Sequence, residues 1–183
     1  RGERDPMWFK RFCLGEWGAF GGKRFKTWDP NIHIVEPFPV PAAWEGVGGI
    51  DYGWHNDTRY ILVAIDHQGR YYAVGEYAQN EAPPRVLAQG MKELEETVGV
   101  WPSSRWLDPS AWAATEGKPS VADQLAEHGV DAGKADNDRI GGWARLDDLL
   151  QEMVDGDPVV AGVVEAVERD AFHPIVLREV SRV

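Results

Sequence analysis

Two aspartates stand where strand-like apolar runs end, and a carboxylate in such a position can hold a metal ion. Asp51 lies inside the run "VGGIDYGW", and Asp108 directly follows "RWL". A carboxylate on a buried strand is costly unless a positive charge compensates it. For Asp51 the sequence leaves two possibilities, which are an ion pair with Arg59 or Arg139 and a bound cation.

The two aspartates can share cations if their strands are neighbours in a sheet. Two close carboxylates repel each other, and both ionise at neutral pH only when a cation neutralises them. Oxygen ligands suit Mg²⁺ or Mn²⁺, and two such ions roughly 3.5–4 Å apart can activate a water and stabilise the leaving oxygen of a phosphodiester. We therefore predict that Asp51 and Asp108 are catalytic metal ligands, although Asp108 could instead cap the helix that follows it.

Other residues near Asp51 have both a chemical and a structural interpretation. Asp57, six residues later, is either a supporting metal ligand or the start of an Asx turn into "TRY". Asp66, in "AIDHQG", is more typical of a turn residue than of a ligand. Gly53 would allow a nucleic-acid backbone to approach Asp51 closely.

The pattern of the chain from residue 46 onward predicts a mixed α/β fold. The runs "GGIDYGW", "TRYILVAIDH" and "RYYAVGEYA" predict three strands, the last two joined by the hairpin turn "DHQG". Then "EAPPRVLAQGMKELEETVG" predicts a helix, "SSRWLDPSA" a strand, "SVADQLAEHG" a helix and "VDAGKADND" a short strand. "RIGGWARLDDLLQEMVDG" and "PVVAGVVEAVERDA" predict two more helices, and "PIVLREV" a last strand. A meander followed by alternating helices and strands predicts a mixed sheet with helices on its faces, and strand ends that lie side by side are where chemistry gathers.

The N-terminal quarter has a different composition. Residues 1–45 interleave aromatic and basic residues with glycines and prolines, and we predict an extended arm that links to a partner domain outside this sequence. Residues 46–183 form the predicted folded domain. The absence of an initiator methionine leads us to expect a fragment of a longer polypeptide.

Composition excludes several classes of protein. The net charge is -11, which disfavours a dedicated sequence-specific DNA reader with a broad basic face. The single cysteine, Cys13, excludes an internal disulfide and a thiolate zinc site. There is no apolar run of the ~18 residues that a membrane span needs, no phosphate-binding Walker loop and no Gly-x-Ser-x-Gly, and the five histidines are scattered.

Several of these segments, taken in order, resemble the C-terminal nuclease domain of phage terminase large subunits. The segments are "CLGEWGAFGGKRFKTWDP", "VEPFPVPAAW", "GGIDYGWHNDTRYILVAID", "WLDPSAW" and "NDRIGGWARLDDLL". The resemblance runs from about Met7 to Leu150, and its specificity comes from the order of the motifs. It implies an RNase H-like fold and a Mg²⁺- or Mn²⁺-dependent endonuclease that cuts concatemeric viral DNA in the cytoplasm of an infected bacterium. It also implies a terminase ATPase domain, a small terminase subunit and a portal as partners.

Residue by residue, the resemblance makes Asp51 the first catalytic acid, Asp108 the second and Asp57 an auxiliary acid. The family supplies a third acid late in the domain, in text that this sequence lacks. Asp147 and Asp148 are candidate substitutes, and so are three acids of the tail, Glu165, Glu168 and Asp170.

Two basic residues and two other functions complete the sequence-based hypotheses. Lys134 and Arg139, before and at the start of the late helix, could contact the DNA backbone. A Holliday-junction resolvase of the RuvC-like group is one alternative, because Gly-Ile-Asp-Tyr-Gly also opens that group. A catalytically silent RNase H-like domain that docks to a portal or motor is the other.

Overall fold

A mixed sheet organises the described part of the chain. The computed structural model describes residues 25–114, 117–154 and 163–164. Seven strands lie in the order β1-β7-β4-β3-β2-β5-β6. They are β1 (Ile34–Val35), β2 (Glu45–Asp51), β3 (Thr58–Ile65), β4 (Tyr71–Gln79), β5 (Pro102–Leu107), β6 (Gly133–Lys134) and β7 (Val163–Val164). The helices are α1 (Pro30–His33), α2 (Pro84–Val98), α3 (Val121–Glu127) and α4 (Arg139–Val154), with a 3₁₀ helix at Pro109–Trp112.

The antiparallel meander β2–β3–β4 forms the centre of the sheet. Residues of β3 alternate between buried and half-buried positions, so that Tyr60, Leu62 and Ala64 enter the core. The hairpin between β3 and β4 closes through Asp66, whose carbonyl accepts the Gly69 N–H, and Gly69 has a φ of +81°. Asp66 is therefore the turn residue that the sequence predicts.

Helix α2 covers the buried face of the meander, and helix α3 packs against α2 and the 3₁₀ helix. Helix α2 places Leu87, Met91 and Leu94 in the core and contacts β3, β4 and α3. Helix α3 begins with a capping box, in which Ser120 and Asp123 each bond to the other's backbone N–H. After α2 the chain returns as β5, which runs parallel to β2, and after α3 it adds β6 parallel to β5.

A buried polar network joins helix α2 to the sheet. Glu95, 3% exposed, receives two hydrogen bonds from Arg105, at 2.9 and 2.7 Å, and one from the Tyr60 hydroxyl at 2.6 Å. Burial, followed by the hydrogen bond to Glu95 and its charge, raises the pKa of Tyr60. Gly48 makes room for the network, because a Cβ there would lie 2.6 Å from the Tyr60 ring. In the sequence, this network is indicated by Glu95, a glutamate within the apolar stripe of helix α2.

The described part of the predicted arm packs against the sheet. Trp44 stacks on Tyr72 with ring centroids 4.8 Å apart, and Phe38 meets the same ring edge-on at 5.4 Å. His33, in α1, is fully buried and its Nε2 lies 3.0 Å from the Leu150 carbonyl of α4. Residues 1–24 of the arm lie outside the described residues.

The predicted order of strands and helices is found from β2 to α4. One prediction was wrong, since the segment "PVVAGVVEAVERDA" was expected to be helical and its Val163 and Val164 form β7. These β-branched residues pair in parallel with β1 and β4. The predicted last strand, "PIVLREV", lies outside the described residues. None of the helices in the described part of the chain combines the length and the apolar character needed to cross a membrane.

Candidate active site

The register of β2 and β5 brings Asp51 and Asp108 side by side. The two strands are parallel neighbours in which Ile50 is level with Leu107, so both aspartates come one residue later at the same edge. The Asp108 N–H continues the ladder by donating to the Ile50 carbonyl at 3.1 Å. Both residues are half-buried. This is the arrangement that the sequence predicts for two acids on neighbouring strands.

Asp108 also caps the 3₁₀ helix Pro109–Trp112. Its Oδ1 accepts the Ser110 N–H at 2.7 Å. Capping and metal binding are compatible, because a carboxylate has two oxygens and several lone pairs. The capping bond fixes the orientation of the side chain at the edge of the sheet.

Arg59 is the nearest positive charge to Asp51 in the register of the sheet. It lies directly opposite Asp51 on β3, at a position where Cβ atoms are about 5 Å apart. Its guanidinium donates to Glu76 at 2.5 Å and to Asp57 at 3.3 Å. Asp57, the predicted auxiliary ligand, is thus engaged by Arg59 at the rim of the site. Arg139, the other proposed partner of Asp51, instead lies over the Trp143 ring at 5.0 Å.

The loop after Asp51 is closed by Thr58. The Thr58 hydroxyl donates to the Gly53 carbonyl at 2.8 Å, and Thr58 is 1% exposed. A Cβ on Gly53 would lie 2.7 Å from the Asn56 carbonyl oxygen. Glycine is therefore required here by the loop itself, whereas the sequence suggested that it makes room for nucleic acid.

Of the two cations predicted to contact DNA, Lys134 lies at the same edge of the sheet as Asp108, and Arg139 follows a few residues later in the chain. Lys134 is level with Leu107 on β6, so it ends its strand next to Asp108, and it is exposed. Arg139 follows at the first position of α4 and is exposed.

A third acid is not gathered with Asp51 and Asp108 in the described part of the chain. Asp147 accepts a hydrogen bond from Thr27 at 2.9 Å, and Asp148 is exposed on α4. Within residues 25–114, 117–154 and 163–164, no three His, Cys, Asp or Glu side chains form a group that could hold a metal ion. The three tail acids, Glu165, Glu168 and Asp170, lie outside the described residues.

The described acids nevertheless fit a divalent ion of the Mg²⁺ type. Such an ion is commonly held by one or two carboxylates, with water and substrate phosphate as its other ligands. Asp51, the last residue of β2, and Asp108, which directly follows the parallel strand β5, supply this pair.

The fold has close parallels among solved structures. The large terminase of a thermophilic bacteriophage superimposes with a TM-score of 0.57 at 20% identity, over 78% of this chain and 34% of the phage protein. The P22 large terminase nuclease domain gives a TM-score of 0.56 at 15% identity, over 79% of this chain and 73% of that domain. This chain has the fold of a terminase nuclease domain. The RNase H-like fold predicted from the sequence is thereby confirmed.

Among the comparisons with known proteins, those of three-dimensional structure show the terminase-type fold. No protein-family model and no curated protein sequence matches the chain. The HK97 large terminase, at 11% identity, still gives a TM-score of 0.50 over 76% of this chain. The chain spans about a third of the length of the HK97 protein and of the large terminase from the thermophilic phage.

Proposed function

We propose that this chain is the nuclease domain of a phage terminase and cleaves DNA phosphodiester bonds with Mg²⁺ or Mn²⁺. The observation that supports the proposal most directly is the pair Asp51 and Asp108, placed side by side by parallel strands of a terminase-type fold. A site with two carboxylates and an open edge suits a phosphate-bound divalent ion better than a nucleophilic mechanism.

In this proposal each site residue has one role. Asp51 and Asp108 would hold one or two ions, and Asp57 would support them from the rim. When bound, such ions would supply activation of a water and charge stabilisation for the leaving oxygen. Arg59 holds Asp57 and Glu76 in place, and Lys134 and Arg139 neutralise phosphates of the DNA backbone.

We infer the biological setting from the resemblance to terminases. The substrate is concatemeric viral double-stranded DNA, which is cut during packaging in the cytoplasm of the infected host. The partners are an ATPase domain, a small terminase subunit and a portal. Because this chain covers about a third of the large terminase from the thermophilic phage, these assignments refer to the larger assembly.

Nicking of supercoiled plasmid tests the proposal. We expect Mn²⁺-dependent nicking by the wild type that falls more than roughly 100-fold in Asp51→Asn and in Asp108→Asn. The reason for this magnitude is that even partners of metal ligands typically contribute 10- to 100-fold. Asparagine keeps the shape of each side chain and removes its charge.

The matched control is Asp131→Asn. Asp131 is exposed and precedes β6, toward the end of the strand away from Asp108. It should nick plasmid as the wild type does. Absence of nicking by a folded wild-type protein, or full activity in both site variants, would contradict the proposal and favour a catalytically silent docking domain.

A further inference from the structure

A half-exposed tryptophan lies on the same face of the sheet as the two aspartates. Trp106 is 49% exposed, whereas its neighbour Leu107 is fully buried. Because side chains alternate along a strand, Trp106 and Asp108 share the face opposite the core. Two residues along a strand correspond to roughly 7 Å. The ring therefore stands beside the candidate active site.

Glycines on both neighbouring strands keep this ring accessible. Trp106 is level with Gly49 on β2 and with Gly133 on β6. A Cβ on Gly133 would lie 3.0 Å from the indole, so the ring rests against the backbone of β6. A Cβ on Gly49 would meet no atom of the described residues within 4 Å, and Gly49 is exposed although β2 lies inside the sheet. One side of the indole is thus supported and open space remains beside it, next to Asp51.

We propose that Trp106 is a stacking platform for an unpaired base of the DNA strand whose phosphate lies at Asp51 and Asp108. This inference rests on the proposed nuclease function and specifies its substrate. Inside a duplex both faces of a base are covered by its neighbours, so only an unstacked base can cover the indole. The preferred substrate is therefore DNA that is single-stranded, frayed or locally melted at the cleaved phosphate.

Lys134 is exposed at the same end of the sheet, but it is level with Leu107 and therefore projects from the face opposite Trp106. The stacking platform is thus formed by Trp106 with the glycines of the neighbouring strands.

Two probes of equal charge separate stacking from electrostatics. One is a dT 12-mer, and the other is a 12-mer of abasic residues with the same backbone. Affinities are measured with Ca²⁺ in place of Mn²⁺, so that binding is separated from cleavage. We expect the wild type to bind the dT 12-mer roughly 5- to 100-fold more tightly than the abasic one, the range typical of base–aromatic stacking.

Substitution of Trp106 should remove this preference for bases. Trp106→Leu is expected to bind both 12-mers equally, with abasic binding as in the wild type, and Trp106→Phe to keep part of the preference. The matched control is Trp101→Leu, because Trp101 is 66% exposed but precedes β5 at the end away from Asp108. Its preference should equal that of the wild type.

A second variant tests the open space itself and does not depend on Trp106→Leu folding. Gly49→Val should fill the space beside the indole and weaken the preference for bases without changing abasic binding. Retention of the wild-type preference in both folded Trp106→Leu and Gly49→Val would overturn the inference. Plasmid nicking distinguishes failure of the stacking platform from failure of the nuclease function. If the protein nicks plasmid but its preference for bases does not depend on Trp106, only the stacking platform is contradicted. If the preference depends on Trp106 but there is no Mn²⁺-dependent nicking, the nuclease function is contradicted.

Discussion

At the scale of single residues, the acids of this chain are compensated in different ways. Asp66 has a fully buried side chain that receives hydrogen bonds from the Gln68 N–H at 2.8 Å, the Arg70 N–H at 3.0 Å and the Arg70 guanidinium at 2.6 Å. Burial opposes ionisation of Asp66, but these bonds together hold the pKa of its carboxyl below the ordinary value. The charge of Asp66 is compensated by partners within the hairpin, so Asp66 has a structural role.

The pH dependence of stability should report this role of Asp66. A carboxyl whose pKa is lower in the folded than in the unfolded state stabilises the fold above the unfolded pKa of about 3.9, and this contribution is lost as the pH falls through the folded pKa. We therefore expect Asp66→Asn to lower the free energy of unfolding at pH 7, and the difference from the wild type to shrink toward pH 3. Urea denaturation at the two pH values measures this, with exposed Asp131→Asn as the control. An equal deficit at both pH values would show that the charge of Asp66 does not contribute.

The sequence singled out Asp51, Asp108 and Asp66, but it did not show which residues lie next to them in space. Asp51 and Asp108 were recognised because each ends an apolar run, and Asp66 because a glycine follows at turn spacing. Two compensations for Asp51 remained open, since only the register shows that Arg59 lies directly opposite it. Trp106 went unnoticed as a functional candidate. The signal for Trp106 in the sequence was its position two residues before Asp108, because alternation along the strand puts both side chains on the same face.

At the scale of elements, close packing of α2 on β4 depends on a glycine. A Cβ on Gly90 would overlap the Tyr77 ring. We expect Gly90→Ala to destabilise the fold by about 1–3 kcal/mol, as overpacked cores do, although alanine is the better helix former. Gly142, within α4, is the matched control, because a Cβ there meets no described atom within 4 Å.

Gly142→Ala should stabilise the protein by up to about 1 kcal/mol, through helix propensity alone. Urea denaturation of both variants measures the opposite signs. If Gly90→Ala also proved stabilising, the close contact between α2 and Tyr77 would not limit packing in solution.

Elements with a strong local pattern were predictable, and those defined by distant pairing were not. Helix α2 has an apolar stripe with a glycine after its end, and β3 alternates along its whole length. Strand β7, by contrast, occurs in a segment rich in valine and alanine that also satisfies a helical period. Its identity is decided by parallel partners on β1 and β4, which are far away in sequence.

At the scale of the whole molecule, the net negative charge determines what the edge of the sheet with Asp51 and Asp108 needs in order to bind DNA. A chain of net charge -11 repels DNA, so binding needs local cations at the place of cleavage. In the proposed nuclease, Lys134 and Arg139 would supply two of these, and divalent ions at Asp51 and Asp108 would supply the others. The sheet brings these charges to one end because β2, β5 and β6 are parallel.

Unfolding of the whole chain should therefore depend on divalent metal. A ligand that binds only the folded state stabilises it by about 2.7 kcal/mol at a concentration 100 times its Kd, which raises Tm by roughly 5–10 °C in a chain of this size. We expect saturating Mn²⁺ to produce such a rise in the wild type and in Asp131→Asn, and little or none in Asp51→Asn or Asp108→Asn. Differential scanning calorimetry with and without Mn²⁺ measures it. An undiminished rise in both site variants would place the ion elsewhere and would contradict metal binding by Asp51 and Asp108.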